Sequence, residues 1–82
     1  MSDDELLTRI SIDPKVMVGK PVIKGTRLTV EYIVRRLAKG SGIPDLLDEY
    51  KGLQSEDIQA CLVYAARNLS ASEVLPLSPV DA

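Results

Sequence analysis

The chain has 82 residues, no histidine and a single cysteine, Cys61, so few of its side chains can do chemistry. That inventory excludes the Cys/His zinc patterns, the Ser-His-Asp and Cys-His nucleophilic arrangements, and any disulfide within one chain. No catalytic residue, no metal and no other cofactor is expected. Gly19-Lys20 has the look of a phosphate loop, but Pro21 stands where Ser or Thr is needed and the upstream glycine is missing. Cys61 falls on the apolar face of an expected helix and reads as a small buried hydrophobe. The remaining chemistry is charge, and the net charge of −2 conceals its distribution. Residues 15–39 hold Lys15, Lys20, Lys24, Arg27, Arg35, Arg36 and Lys39 against Glu31 alone, while both flanks are acidic. A basic block inside an acidic protein has the asymmetry that phosphate-backbone binding needs.

Such charges act only where the chain positions them. The length allows one domain with one core, and at this size folding buries only about 63% of the unfolded surface, so stability is marginal. The hydrophobic content of 45% is aliphatic, with three Tyr and no Phe or Trp, and stacking platforms for single strands are scarce. No apolar run approaches the ~18 residues of a membrane span, and the acidic start Ser2-Asp3-Asp4-Glu5 is the reverse of a signal peptide's basic region. The expected compartment is the cytoplasm, with no membrane partner.

Ser2 and Glu5 have capping-box spacing and predict a short helical turn. Ile10-Ser11-Ile12 alternates apolar and polar, and the β-branched stretch Val16 to Ile23 is interrupted by Gly19 and Pro21, so a short β-ribbon is expected over about 10–25. From Val30 the period changes: Val30, Ile33, Val34 and Leu37 form a helical stripe, Thr29 is the cap, Leu28 and Ile33 are a staple, and Gly40 is the stop. Gly25-Thr26-Arg27 makes the corner between ribbon and helix. Pro44 opens a second helix with Leu46, Leu47 and Tyr50 inside, and Gln54 or Ser55 caps a third with Ile58, Cys61, Leu62, Ala65 and Leu69 as its core stripe. The fold class expected is mainly α: a helix-turn-helix, homeodomain-like or winged-helix-like three-helix core behind a short ribbon. Its helices are placed at about 29–39, 44–50 and 55–69 in a domain of residues 1–69, followed by an extended tail over 70–82.

The string Gly19-Lys20-Pro21-Val22-Ile23-Lys24-Gly25-Thr26-Arg27, with Ile12-Asp13-Pro14, Gly40, Tyr50, Leu53, Glu56-Asp57-Ile58 and Tyr64-Ala65-Ala66, resembles domain-of-unknown-function family 433, a widespread prokaryotic family. Many of its members are regarded as antitoxins paired with PIN-like nuclease toxins. The resemblance covers roughly residues 9–67 and implies a small helix-turn-helix-like fold, no catalytic activity and a homodimer. Three positions depart from the pattern: Val18 where a second glycine is usual, Lys51 where a proline follows the tyrosine, and Gln54 in place of a capping Thr.

The expected function is therefore an antitoxin that binds a PIN-like nuclease and represses its own operon. The alternatives are a stand-alone DNA-binding regulator and a non-catalytic dimeric interaction module. Lys20, Lys24, Arg27, Arg35, Arg36 and Lys39 are the candidate DNA or toxin contacts; a solvated face paired with a neighbour's acids is the competing reading. Gly19, Pro21, Gly25, Thr26 and Gly40 are the structural residues of the motif. The third helix opens with Glu56 and Asp57, which would face phosphates if it entered a major groove, so it is not expected to read bases. Val74, Leu75, Leu77 and Val80 make the tail apolar enough to lie in a partner's groove, the competing reading being a frayed or self-docked terminus.

Overall fold

A computed structural model of the chain describes residues 1–71, and its element order follows the sequence pattern closely. Helix α1 (Asp3–Leu7) starts at the expected capping box: Ser2 Oγ accepts from the Glu5 amide, and Glu5 accepts from the Ser2 amide at 2.9 Å. Strands β1 (Ile10–Ser11) and β2 (Val22–Ile23) pair antiparallel, with Ile10 opposite Ile23 and Ser11 opposite Val22. β2 is also bridged on its other side, Val22 to Thr29, and the Ile23 amide donates to the Leu28 carbonyl. Pro21 has no amide to donate, but its carbonyl accepts from Val30 at 2.9 Å. This double pairing buries Val22 and Ile23 and makes the ribbon part of the core.

Helix α2 (Val30–Ala38) is capped by Thr29, whose side chain accepts from the Tyr32 amide, and it ends before Gly40 at φ +102°. Helix α3 (Ile43–Glu49) has Pro44 in its first turn, with Asp45 accepting from the Gly42 amide. Helix α4 (Ser55–Ala71) follows a turn through Gly52 and runs two residues further than expected. The fold is mainly helical, with four α-helices and a two-stranded ribbon among the described residues; α2, α3 and α4 enclose the core and α1 lies along α4. That core is Ile23, Val30, Ile33, Leu46, Ile58 and Cys61, flanked by Leu28, Leu37, Tyr50 and Tyr64 among others.

The stripe expected on the last helix needs correction. Ile58 and Cys61 are fully buried, but Leu62 is 44% and Leu69 71% exposed, and Ala60 is buried instead. For Leu69 the reason is length: at 1.5 Å per residue α4 runs about 25 Å against about 13 Å for α2, so its last turns outlast the helices that would cover them. Leu62 is followed by the half-buried Val63, Tyr64 and Ala65 and lies at the edge of the buried face, not past its end. Among the described residues no helix is long and apolar enough to cross a membrane. The tail residues Val74, Leu75, Leu77 and Val80 lie outside the described residues.

Candidate interaction surface

The fold divides the basic block into cations it uses and cations it leaves to solvent. Arg36 belongs to the first group. Its guanidinium donates to both carboxylate oxygens of Glu49, at 2.8 and 3.2 Å, to the Tyr32 hydroxyl at 2.8 Å and to Ser41 Oγ at 3.2 Å. It also lies 5.7 Å from the Tyr32 ring centroid. The Glu49 hydrogen bonds, with help from Tyr32, raise the Arg36 pKa well beyond its ordinary value. The Arg36 guanidinium in turn holds the Glu49 carboxyl below the usual carboxylate range. Tyr32 and Tyr50 meet edge to face, ring centroids 6.3 Å apart, with their hydroxyls hydrogen-bonded. That bond pushes the Tyr50 phenol up to about 12 and lowers Tyr32, whose oxygen also takes the Arg36 bond. Lys20 and Arg35 share Glu31, each at 3.4 Å, and the Lys20 hydrogen bond is the main reason the Glu31 carboxyl is depressed.

Lys24, Arg27 and Lys39 form the second group: all three are exposed, and none has an ion-pair partner among the described residues. Lys39 sits at the carboxyl end of α2, whereas Lys24 and Arg27 flank the corner between β2 and α2. That corner is rigid. Gly25 takes φ +80°, Thr26 Oγ1 donates to the Ile23 carbonyl at 2.7 Å and accepts from the Leu28 amide, and the Lys24 amide donates to the Arg9 carbonyl. Lys51, in the turn between α3 and α4, lines the same concavity as Lys24, Gly25 and Thr26. The candidate contacts thus separate into Lys24 and Arg27 at the corner, Lys20, Arg35 and Arg36 in ion pairs, and Lys39 apart.

Two features escaped the sequence reading. The first is Arg9, whose guanidinium bonds Asp57 Oδ1 and the Gln54 side chain, both at 3.0 Å, across 48 and 45 residues of chain. Asp57, only 8% exposed, also accepts from the Gln54 amide and so closes the amino end of α4. Asp57 is therefore withdrawn from the surface that was expected to repel phosphates. Gln54 occupies the cap position but turns its side chain to Arg9. Nothing local in the sequence marks so distant a pairing.

The second feature is the loop between the strands. Met17, Val18 and Gly19 take φ +50°, +57° and +79°, three successive left-handed residues in a short 3-10 turn. The glycine is suited to this; a β-branched valine is not. Val18, where the family pattern has glycine, is 92% exposed, and nothing among the described residues explains its strained backbone by packing. Cys61 is fully buried, and loss of hydration pushes its thiol up to about 12, so it is no nucleophile. Among the described residues no cluster of three or more His, Cys, Asp or Glu side chains is arranged to hold a metal ion.

Comparison with known proteins agrees with this architecture. A crystal structure of a DUF433 member protein from Anabaena variabilis superimposes with a TM-score of 0.73 at 32% identity, over 83% of this chain and 67% of that one. The uncharacterized protein y4eO of Sinorhizobium fredii is 29% identical over 59 residues, which are 72% of this chain and 27% of the relative, so the chain spans about a quarter of that protein's length. An uncharacterized protein of Archaeoglobus fulgidus is 62% identical over 29 residues, or 35% of this chain and 81% of that one. The family model for proteins of unknown function DUF433 matches residues 10–65, the ribbon and core helices through most of α4, and the chain belongs to that family.

Proposed function

We propose that this protein is the antitoxin of a type II toxin–antitoxin pair. In this reading it is a non-catalytic, cytoplasmic homodimer that neutralises a PIN-like nuclease by direct binding. The observation that carries the proposal is the corner between β2 and α2, where Lys24 and Arg27 are exposed on a hydrogen-bonded turn without ion pairs among the described residues. A nuclease that binds metal through carboxylates presents an acidic cleft, and rigid, unpaired cations are the complement such a cleft attracts. Cations already paired within the fold, such as Arg36, must lose those bonds before they can serve a partner.

The test is co-purification of the chain with the nuclease encoded beside it, followed by an RNA-cleavage assay. The wild-type chain is expected to suppress cleavage, and the Lys24→Glu, Arg27→Glu double variant to restore it with an unchanged melting temperature. Full suppression by that variant would overturn the role of the corner.

Repression of its own operon is a second part of the reading, supported by the same cations. The amino end of α4, closed by Asp57 and carrying Glu56, disfavours base reading by that helix, so DNA contact falls to the corner and the ribbon. A gel-shift titration against the promoter region is expected to show binding that weakens steeply with salt. A stand-alone regulator would bind that DNA without associating with the neighbouring nuclease.

A further inference from the structure

The corner is more than a patch of charge. Two concavities lie against it, about 360 and about 320 Å³ in volume, and Leu28 and Tyr50 line both of them. Met17 and Arg27 line the first, Lys24 and Lys51 the second. Each volume accommodates one aliphatic side chain. Arg27, Lys24 and Lys51 have no ion-pair partner among the described residues, and the one carboxylate lining either concavity, Asp57, is held by Arg9. Met17 is 41% exposed and is fixed there by a left-handed backbone.

From this we infer that the paired concavities around Leu28 and Tyr50 are a docking site for an acidic polypeptide segment that inserts two apolar side chains while its carboxylates meet Arg27, Lys24 and Lys51. The inference deepens the proposed function and rests on its reading of the corner as the docking surface. Charge complementarity selects the acidic partner, and the apolar residues within the lining, Met17 and Leu28 in the first concavity and Ile23, Leu28 and Leu53 in the more polar second, suit polypeptide side chains better than a single-stranded nucleic acid. A single strand is held on aromatic faces, but here the two tyrosines pack edge to face and Arg36 stands over the Tyr32 ring.

The site can be probed without the nuclease. The full isotope-labelled chain is titrated with a blocked pentapeptide of alternating glutamate and leucine, and its amide shifts are followed by NMR. The expected shifts cluster at Met17, Lys24, Arg27, Leu28 and Tyr50, with affinity falling about tenfold in the Arg27→Glu variant and when glutamine replaces glutamate in the peptide. Met17→Asn, which tolerates the left-handed backbone, is expected to weaken binding with an unchanged melting temperature. Shifts centred elsewhere, such as the groove between Val34 and Ala65, or equal affinity for the glutamine peptide, would overturn the inference. So would tighter binding of an oligothymidylate at the same amides. Nuclease suppression that depends on Lys24 and Arg27 while the peptide fails would sink the inference alone; peptide binding without nuclease association would sink the antitoxin reading alone.

Discussion

Arg36 and Arg27 lie nine positions apart in one basic block, yet the fold gives them opposite roles. At the carboxyl end of α2, Arg36 joins α2 to α3 through Glu49 and closes a network with Tyr32, Tyr50 and Ser41. At the corner before α2, Arg27 and Lys24 are held on a hydrogen-bonded turn with no ion pair among the described residues. The difference teaches that a run of positive charge measures a total, and that the share available to a partner is what remains after the fold has made its own pairs. Arg9 makes the same point from an acidic flank, where among the described acids it serves Asp57.

This contrast predicts that breaking the locked pairs lowers stability and that breaking the corner lowers binding. The largest effect is expected for Asp57→Ala, which strands a half-buried Arg9 and opens the amino end of α4; a loss of about 2–3 kcal/mol in urea unfolding is expected. A value near zero would mean that this pair is not structural. The Lys24→Glu, Arg27→Glu variant should lose at least about tenfold in partner affinity with its unfolding midpoint unchanged. Arg36→Ala should do the reverse, lowering the midpoint and sparing affinity; if the two variants behave alike, the division of the basic block is wrong.

Val18→Gly should raise stability by about 1 kcal/mol, because glycine relieves the left-handed strain, an effect partly offset by the entropy of the unfolded chain. A destabilised variant would show that Val18 makes contacts the backbone angles do not reveal. The smallest effect concerns pH. Glu49 and Glu31 have depressed pKa values in the folded chain, so the unfolded chain binds more protons in the acidic window and stability rises with pH there. The contribution is present above the ordinary carboxylate value and disappears as pH falls through the folded one. NMR titration should place the Glu49 midpoint below the ordinary glutamate value of 4.5, and Arg36→Ala should return it upward.

Local signals in the sequence determined the elements. Capping at Ser2 and Thr29, the stripe Val30-Ile33-Val34-Leu37, Pro44 in a first turn and the stop at Gly40 each involve residues within about one or two helical turns, so side-chain spacing alone specifies them. The same locality made the DUF433 string legible and placed Lys24 and Arg27 beside a turn. Exposure of Leu62 and Leu69 was not legible, because a helical stripe says which side of α4 is apolar but not how wide a face its neighbours cover or how far along it they extend. Nor were the Arg9–Asp57 and Tyr32–Tyr50 contacts, or the way Glu49 claims Arg36, since each partner arrives from another element. Apart from the Glu31–Arg35 pair, one turn apart within α2 and so set by sequence spacing, tertiary structure decided which cations are used and which remain exposed, for a physical reason: electrostatic pairing depends on distance in space, and only the packed chain sets the distances between elements.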